Sequence, residues 1–293
     1  MRNWDLGGTR PVLALHCSLA HSGAFAGLAG RLSGVHLHAP DLIGHGSAPD
    51  WEGVSDLHGQ ATKELHAWVL DLGQGAPIDL IGHSFGGTLA LRLAAFYPEL
   101  VRSLTLIEPV LFAAARGTPA WQGFARAHRQ FQDALAAGDR DLASARFLEI
   151  WGGGTHFADM PPAMQDYIRD RIHLIAAQDA ALNDDSAGIL APGRLGALTA
   201  PVLIAEGAAS PPVIAAIHTA LADRLPQARR LVVTGAGHML PLTHPAPLAE
   251  AVVAMWEASY SVSGSHGTKA HQKACSSECE RQRFLIPHEP DTL

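Results

Sequence analysis

Short apolar runs alternate with helix-length amphipathic segments along most of this chain, and few architectures tolerate that alternation. The runs occupy residues 12–15, 35–38, 78–81, 104–107, 202–205 and 231–233. Most are apolar at consecutive positions rather than at every second one, the pattern of a strand covered on both faces. Helical patterns fill residues 57–72, 88–97, 213–225 and 247–259. In the last of these, Leu248, Val252, Met255, Trp256 and Ser259 share one face, with Pro247 suited to the first turn. Strands and helices in this order predict an α/β protein with a mostly parallel, doubly wound sheet.

The alternation stops between residues 116 and 197, where no strand-like run occurs and helical patterns at 121–137, 140–151 and 162–179 take over. Phe124, His128, Phe131 and Leu135 recur there at helical spacing. The expected organisation is a core of residues 1–115 and 198–260 carrying an all-helical cap, residues 116–197. Aromatic residues of the cap serve a small helical core and a pocket facing the sheet. Trp121, Phe124 and Trp151 are the substrate-binding candidates, with Phe131 and Phe157 as further pocket residues.

Residues 261–293 are poor in hydrophobic side chains and their charges cancel, which reads as a mostly disordered extension. His266, His271, Cys275 and Cys279 are ligand types that zinc prefers, but their spacing fits no common finger and no apolar core surrounds them. Incidental thiols on a solvated tail are expected, and no metal. The net charge of -7, from 21 Lys and Arg against 28 Asp and Glu, therefore belongs to residues 1–260. A nucleic-acid binder with a basic stripe is excluded on that ground. No apolar run approaches the roughly 18 residues of a membrane helix. Residues 11–20, preceded by Arg2 and Arg10, make a poor signal peptide because Asp5 and His16 interrupt it. A cytoplasmic protein without membrane association is expected, and three cysteines make no disulfide framework.

The run 78–81 leads directly into Gly82-His83-Ser84-Phe85-Gly86-Gly87, and a helical pattern follows at once. A strained strand-to-helix turn exposes its serine, and flanking glycines remove the Cβ atoms that would collide there. The helix start offers free N–H groups and its positive dipole end to a developing oxyanion. Ser84 is the candidate nucleophile. With Leu15-His16 after the first run, Asp41-Leu42-Ile43-Gly44-His45-Gly46-Ser47 after the second and Gly235-Ala236-Gly237-His238 after the last, the chain resembles the α/β-hydrolase superfamily over nearly all of residues 10–258. That resemblance implies the α/β-hydrolase fold with a helical cap and names His238 as the base that accepts the Ser84 proton. It also implies that His16 and His45 fix the loops around the pocket. His83, adjacent to Ser84 on a sharp turn, points elsewhere.

The acid departs from the commonest family pattern. An aspartate would follow the run 202–205, yet the stretch reads Glu206-Gly207-Ala208-Ala209-Ser210-Pro211-Pro212, with Ser210 in the aspartate's place. A hydroxyl cannot stabilise an imidazolium as a carboxylate does. Glu108, ending the run 104–107, is the favoured acid, since some branches, certain haloalkane dehalogenases among them, carry theirs after this strand. Glu206 is the rival, and a site without a strong acid is the third reading. The oxyanion hole is expected from the backbone N–H of Phe85 and, by the resemblance, of Ser18, although the usual His-Gly is here His16-Cys17. Cys17 as an alternative nucleophile has no evident base.

A serine at position 84 excludes the alkyl-ester chemistry that dehalogenases and epoxide hydrolases of this superfamily run on an aspartate. The leading expectation is hydrolysis of small to medium, largely apolar carboxylic esters through an acyl-enzyme. No cofactor is implied, because the body has no Rossmann fingerprint, Walker loop or metal constellation. Carbon-carbon bond hydrolysis, lactonase, amidase, thioesterase and cofactor-free perhydrolase chemistry share the same triad. A small-molecule receptor on this scaffold is the alternative of a different class, given weight by the missing aspartate.

Overall fold

The computed structural model describes residues 1–264. Seven strands form one sheet: β1 (Arg2–Asp5), β2 (Arg10–Leu15), β3 (Val35–Ala39), β4 (Ile78–His83), β5 (Val101–Ile107), β6 (Val202–Gly207) and β7 (Ala228–Val233). Their order is β1-β3-β2-β4-β5-β6-β7. Every neighbouring pair is parallel except β1 with β3. β1 was outside the expected set because Trp4 is its one apolar residue, and as an edge strand it buries little.

The long helices are α1 (Leu57–Gly73), α2 (Phe85–Phe96), α3 (Pro119–Ala136), α4 (Arg140–Trp151), α5 (Pro162–Arg171), α6 (Pro212–Ala222) and α7 (Pro245–Gly264). Alternate strand residues enter opposite layers. Leu13, Leu15, Leu80, Leu106 and Ile204 pack with Leu65 of α1, Leu89 of α2 and Ile217 of α6. Val12, Ala14, Ile81, Ile107 and Ala205 pack with Leu248, Val252 and Trp256 of α7. Both faces of each central strand are thus removed from water, worth roughly 1.5–3 kcal/mol per large side chain, which is why the runs are apolar without alternation. The charged exception within a run is Asp79, whose carboxylate accepts from Arg10 Nη2 at 2.9 Å, Arg102 Nη2 at 2.6 Å and Ser103 Oγ at 2.6 Å. Burying that charge is tolerable because every bond is charge-assisted or saturating.

Between β5 and β6 the chain forms helices joined by turns and no strand. Thr118 caps α3, its hydroxyl accepting from Trp121 N at 3.1 Å. Residues 162–179, expected as one helix, form α5, a single turn at His173–Ala176 and a short helix at Asp179–Asp184. Ile172 and Ala177 keep right-handed helical angles at the breaks, so the apolar spacing runs through kinks that the hydrogen-bond ladder does not. Phe131, Phe157, Ile168 and Ile172 form a core internal to this segment. Tyr167 ties it to the sheet, its hydroxyl accepting from Gly46 N at 3.2 Å and donating to Ala20 O at 3.1 Å.

α7 continues to Gly264, so residues 261–264, expected in the extension, are helical. The rest of that extension, with His266, His271, Cys275 and Cys279, lies outside the described residues. Among the described residues no helix is long and apolar enough to cross a membrane.

Candidate active site

β4 ends at His83 and α2 begins at Phe85, three residues earlier than the sequence pattern of Thr88 suggested. Ser84 occupies the whole connection, at φ 54° and ψ -116°. A left-handed non-glycine residue stores roughly 1–3 kcal/mol of strain, so surrounding structure must hold it. Ser84 N donates to Ile107 O at 2.8 Å and Ser84 O accepts from Thr88 N at 3.1 Å. The glycines are steric requirements: a Cβ on Gly82 would lie 2.4 Å from Gly86 O, and one on Gly86 would lie 2.3 Å from Leu15 O.

His238 follows the Gly235-Ala236-Gly237 turn beyond β7, and its Nε2 lies 3.1 Å from Ser84 Oγ. Its Nδ1 lies 2.6 Å from Glu108 Oε2. Glu108 adopts φ 46° at the tip of β5, and its N donates to Ala205 O at 2.9 Å. Its other oxygen accepts from Gly207 N at 2.7 Å and from the Ser210 hydroxyl. Ser84 is 6% exposed, His238 7% and Glu108 0%. Burial pushes the Glu108 carboxyl up, but the hydrogen bond and charge of His238, the Gly207 N–H and the Ser210 hydroxyl outweigh it and hold it below the usual value. The structure thus joins Ser84, His238 and Glu108 in one hydrogen-bonded line. Such a line can move a proton from serine to imidazole while the carboxylate fixes the tautomer.

Glu206 is engaged elsewhere. Its Oε1 accepts from Arg230 Nη2 at 2.8 Å, and Oε2 lies 3.0 Å from His218 Nδ1 on α6.

Ser84 and His238 open onto a cavity of about 430 Å³ bounded by the helical segment. The Trp151 ring stands 4.6 Å from that of His238, and Phe124 stacks on Phe112 at 3.9 Å. Phe124 and Trp151 line this cavity as expected from the sequence; Trp121 does not. Trp121, nearly one turn before Phe124 on α3, is half-buried against the main core with Arg116 over its ring. Phe131 and Phe157 belong to the internal core of the helical segment instead. Phe112 and Gln178 line the cavity without having been anticipated, and His128 does so from the α3 face of Phe124. Phe112 follows the tip of β5, where ligand sites of parallel sheets gather, and that rule was the available signal. Among the described residues, no group of His, Cys, Asp or Glu is placed to hold a metal.

The sequence pattern of the alpha/beta hydrolase fold matches residues 10–245. This chain belongs to that family. Over 171 residues this α/β hydrolase is 33% identical to lipase LipV of Mycobacterium tuberculosis, a match covering 58% of this chain and 59% of that one. Over 254 residues it is 30% identical to the pimeloyl-[acyl-carrier protein] methyl ester esterase of Aeromonas salmonicida, covering 84% and 95%. The haloalkane dehalogenase DbeA-M1 loop variant of Bradyrhizobium elkanii superposes with a TM-score of 0.66 at 23% identity over 87% and 91% of the two chains, a likeness of fold.

Loops of the α/β hydrolase around the serine are fixed by neutral histidines. His16 Nδ1 donates to Cys17 O at 2.7 Å while Nε2 accepts from Leu42 N at 2.9 Å. Burial, with the charge of His45, lowers its pKa to about 3. His45 Nδ1 donates to Ile43 O at 2.9 Å, and burial lowers its pKa to about 4. His83 points away from Ser84 and donates from Nε2 to His238 O at 2.8 Å; burial lowers it to about 3. Burial pushes the Cys17 thiol up to about 12. Ser18 lines the cavity with Ser84, before Leu19 at φ 59°, and Phe85 opens α2, where backbone N–H groups lack intrahelical partners.

Proposed function

We propose that this chain hydrolyses small to medium, neutral carboxylic esters through an acyl-enzyme on Ser84. The observation that carries the reading is the line from Ser84 Oγ through His238 to Glu108 at the wall of a largely apolar cavity. In this reading His238 Nε2 takes the Ser84 proton as Oγ attacks the ester carbonyl. The backbone N–H groups of Phe85 and Ser18 receive the oxyanion. Collapse of the tetrahedral intermediate expels the alcohol, which takes its proton from His238, and a water activated by the same imidazole then releases the acid. Glu108 stabilises the imidazolium in both halves.

A neutral substrate is supported by the lining: no Lys or Arg is among the described residues around the cavity, so an anionic acyl group would lose hydration without a counter-charge. Similarity to a lipase and a methyl ester esterase supports ester chemistry, and similarity to a 2-hydroxy-6-oxo-2,4-heptadienoate hydrolase keeps carbon-carbon cleavage as the second reading. The receptor alternative drew on the missing aspartate at Ser210, and the His238 bond to Glu108 weighs against it. The helical residues between β5 and β6 form the cap in this reading, and residues 1–115 with 198–260 the catalytic core.

The test is hydrolysis of p-nitrophenyl butyrate together with fluorophosphonate labelling. Wild type is expected to turn over many times and to be labelled at Ser84. Ser84→Ala should lose both, with the rate falling at least about 10⁴-fold. Wild-type protein that neither cleaves a broad ester panel nor takes the label would overturn the reading.

A further inference from the structure

One wall of the cavity is polar in a way the acyl-enzyme chemistry does not use. A chain of ring contacts leads from His238 to Trp151, from Trp151 to Phe124 at 6.1 Å and from Phe124 to a stacked His128 at 5.2 Å. Two aromatic rings therefore separate His128 from the catalytic line, and His128 lines the same cavity. Its Nε2 lies 2.8 Å from Asp179 Oδ1. The Asp179 carboxylate also accepts from Asn183 Nδ2 at 2.9 Å and Gln132 Nε2 at 2.8 Å, so it acts as acceptor in every bond. That arrangement puts the proton of the neutral imidazole on Nε2 and leaves Nδ1 with a lone pair. Nδ1 has no partner among the described residues and is not sealed in the interior.

Next along the chain from Asp179 is Gln178, 2% exposed and lining the same cavity. Its Oε1 accepts from Ser18 Oγ at 3.0 Å, while its Nε2 is buried with no partner. The wall thus presents a free acceptor beside a flat aromatic surface, with the Gln178 amide nitrogen turned into the interior. A hydroxyl group answers that acceptor by giving its proton to Nδ1.

We propose that His128, oriented by Asp179, is a specificity-determining subsite for a hydroxyl on the substrate part distal to the scissile carbonyl. The preferred substrate class is then an ester bearing a hydroxyl-substituted ring or chain, over its plain hydrocarbon counterpart. The inference rests on the ester-hydrolase reading for the identity of the reaction, but the subsite can be tested without turnover.

Dissociation constants of methyl 4-(4-hydroxyphenyl)butanoate and methyl 4-phenylbutanoate, measured by calorimetry on Ser84→Ala, read the subsite alone. The hydroxylated ester is expected to bind up to about tenfold more tightly, the range of one neutral hydrogen bond. Adding His128→Phe, which keeps a stacking ring, should bring the two constants together. Equal binding by Ser84→Ala overturns the proposal, and this arm stands whether or not His128→Phe folds. A hydroxyl preference that survives His128→Phe overturns it as well. Fluorophosphonate labelling of the wild type reports separately on Ser84, so failure of the ester-hydrolase reading is distinguishable from failure of the subsite.

Discussion

The tips of β5 and β6 lie side by side, each bears a buried glutamate near a histidine, and the two glutamates do different things. Glu108 stands one residue past the ladder at φ 46°, which turns its carboxylate across the end of the sheet to meet Gly207, Ser210 and His238. Glu206 is still within its strand, so the pleat sends its side chain to the face covered by α6, where it meets Arg230 and His218. Both carboxyls titrate below the usual range, for burial raises each while hydrogen bonds and neighbouring cations pull it down further. Depressed titration therefore does not separate a candidate catalytic carboxylate from a structural one. The direction set by a single backbone angle does.

Substitutions at the two tips should separate rate from stability. Glu108→Gln keeps the shape but removes the charge facing His238, and kcat on a p-nitrophenyl ester should drop about 10³–10⁴-fold with the circular dichroism spectrum unchanged. A rate within tenfold of wild type would take Glu108 out of the reaction. Glu206→Gln should do the opposite, lowering the Tm by about 3–6 °C because Arg230 loses its partner, with kcat within about threefold. Acid should erase the stability difference. Both glutamates titrate lower in the folded chain, so the unfolded chain binds protons first, and the stability they contribute is complete above the ordinary value of 4.5 and lost as pH falls through the folded values. Thermal scans of wild type and Glu206→Gln are expected to differ above pH 4.5 and to converge as the pH falls through the lowered folded value. The smallest effect belongs to Ser210→Ala, which takes one donor from Glu108 and should lower kcat about two- to fivefold.

Much of this layout was legible in the sequence because it rests on short-range physics. Consecutive apolar residues mark strands buried on two sides, and Gly82 and Gly86 mark a turn that admits no Cβ. What was illegible depends on orientation and tertiary contact. Phe124 and Trp121 are three residues apart on α3 and chemically alike, yet one lines the cavity and the other packs under Arg116. The breaks at Ile172 and Ala177 leave helical angles intact, so no glycine or proline announces them. Gln178 reaches the cavity through such a kink. Ser210 looked like a lost acid, whereas its hydroxyl donates to the Glu108 carboxylate on the neighbouring strand tip, a contact that spacing alone does not encode.

The buried thiol of Cys17 bears on the chemoselectivity of the proposed reaction. With its pKa pushed up to about 12, about one molecule in 10⁵ carries a thiolate there at neutral pH. Under the proposed chemistry, an electrophile that fits beside Trp151 meets a sulfur that does not compete with the Ser84 oxygen lining the same cavity. Two warheads of the same shape, one serine-directed and one thiol-directed, would part company at this wall, and the adduct in the cavity would be an oxygen ester rather than a thioether.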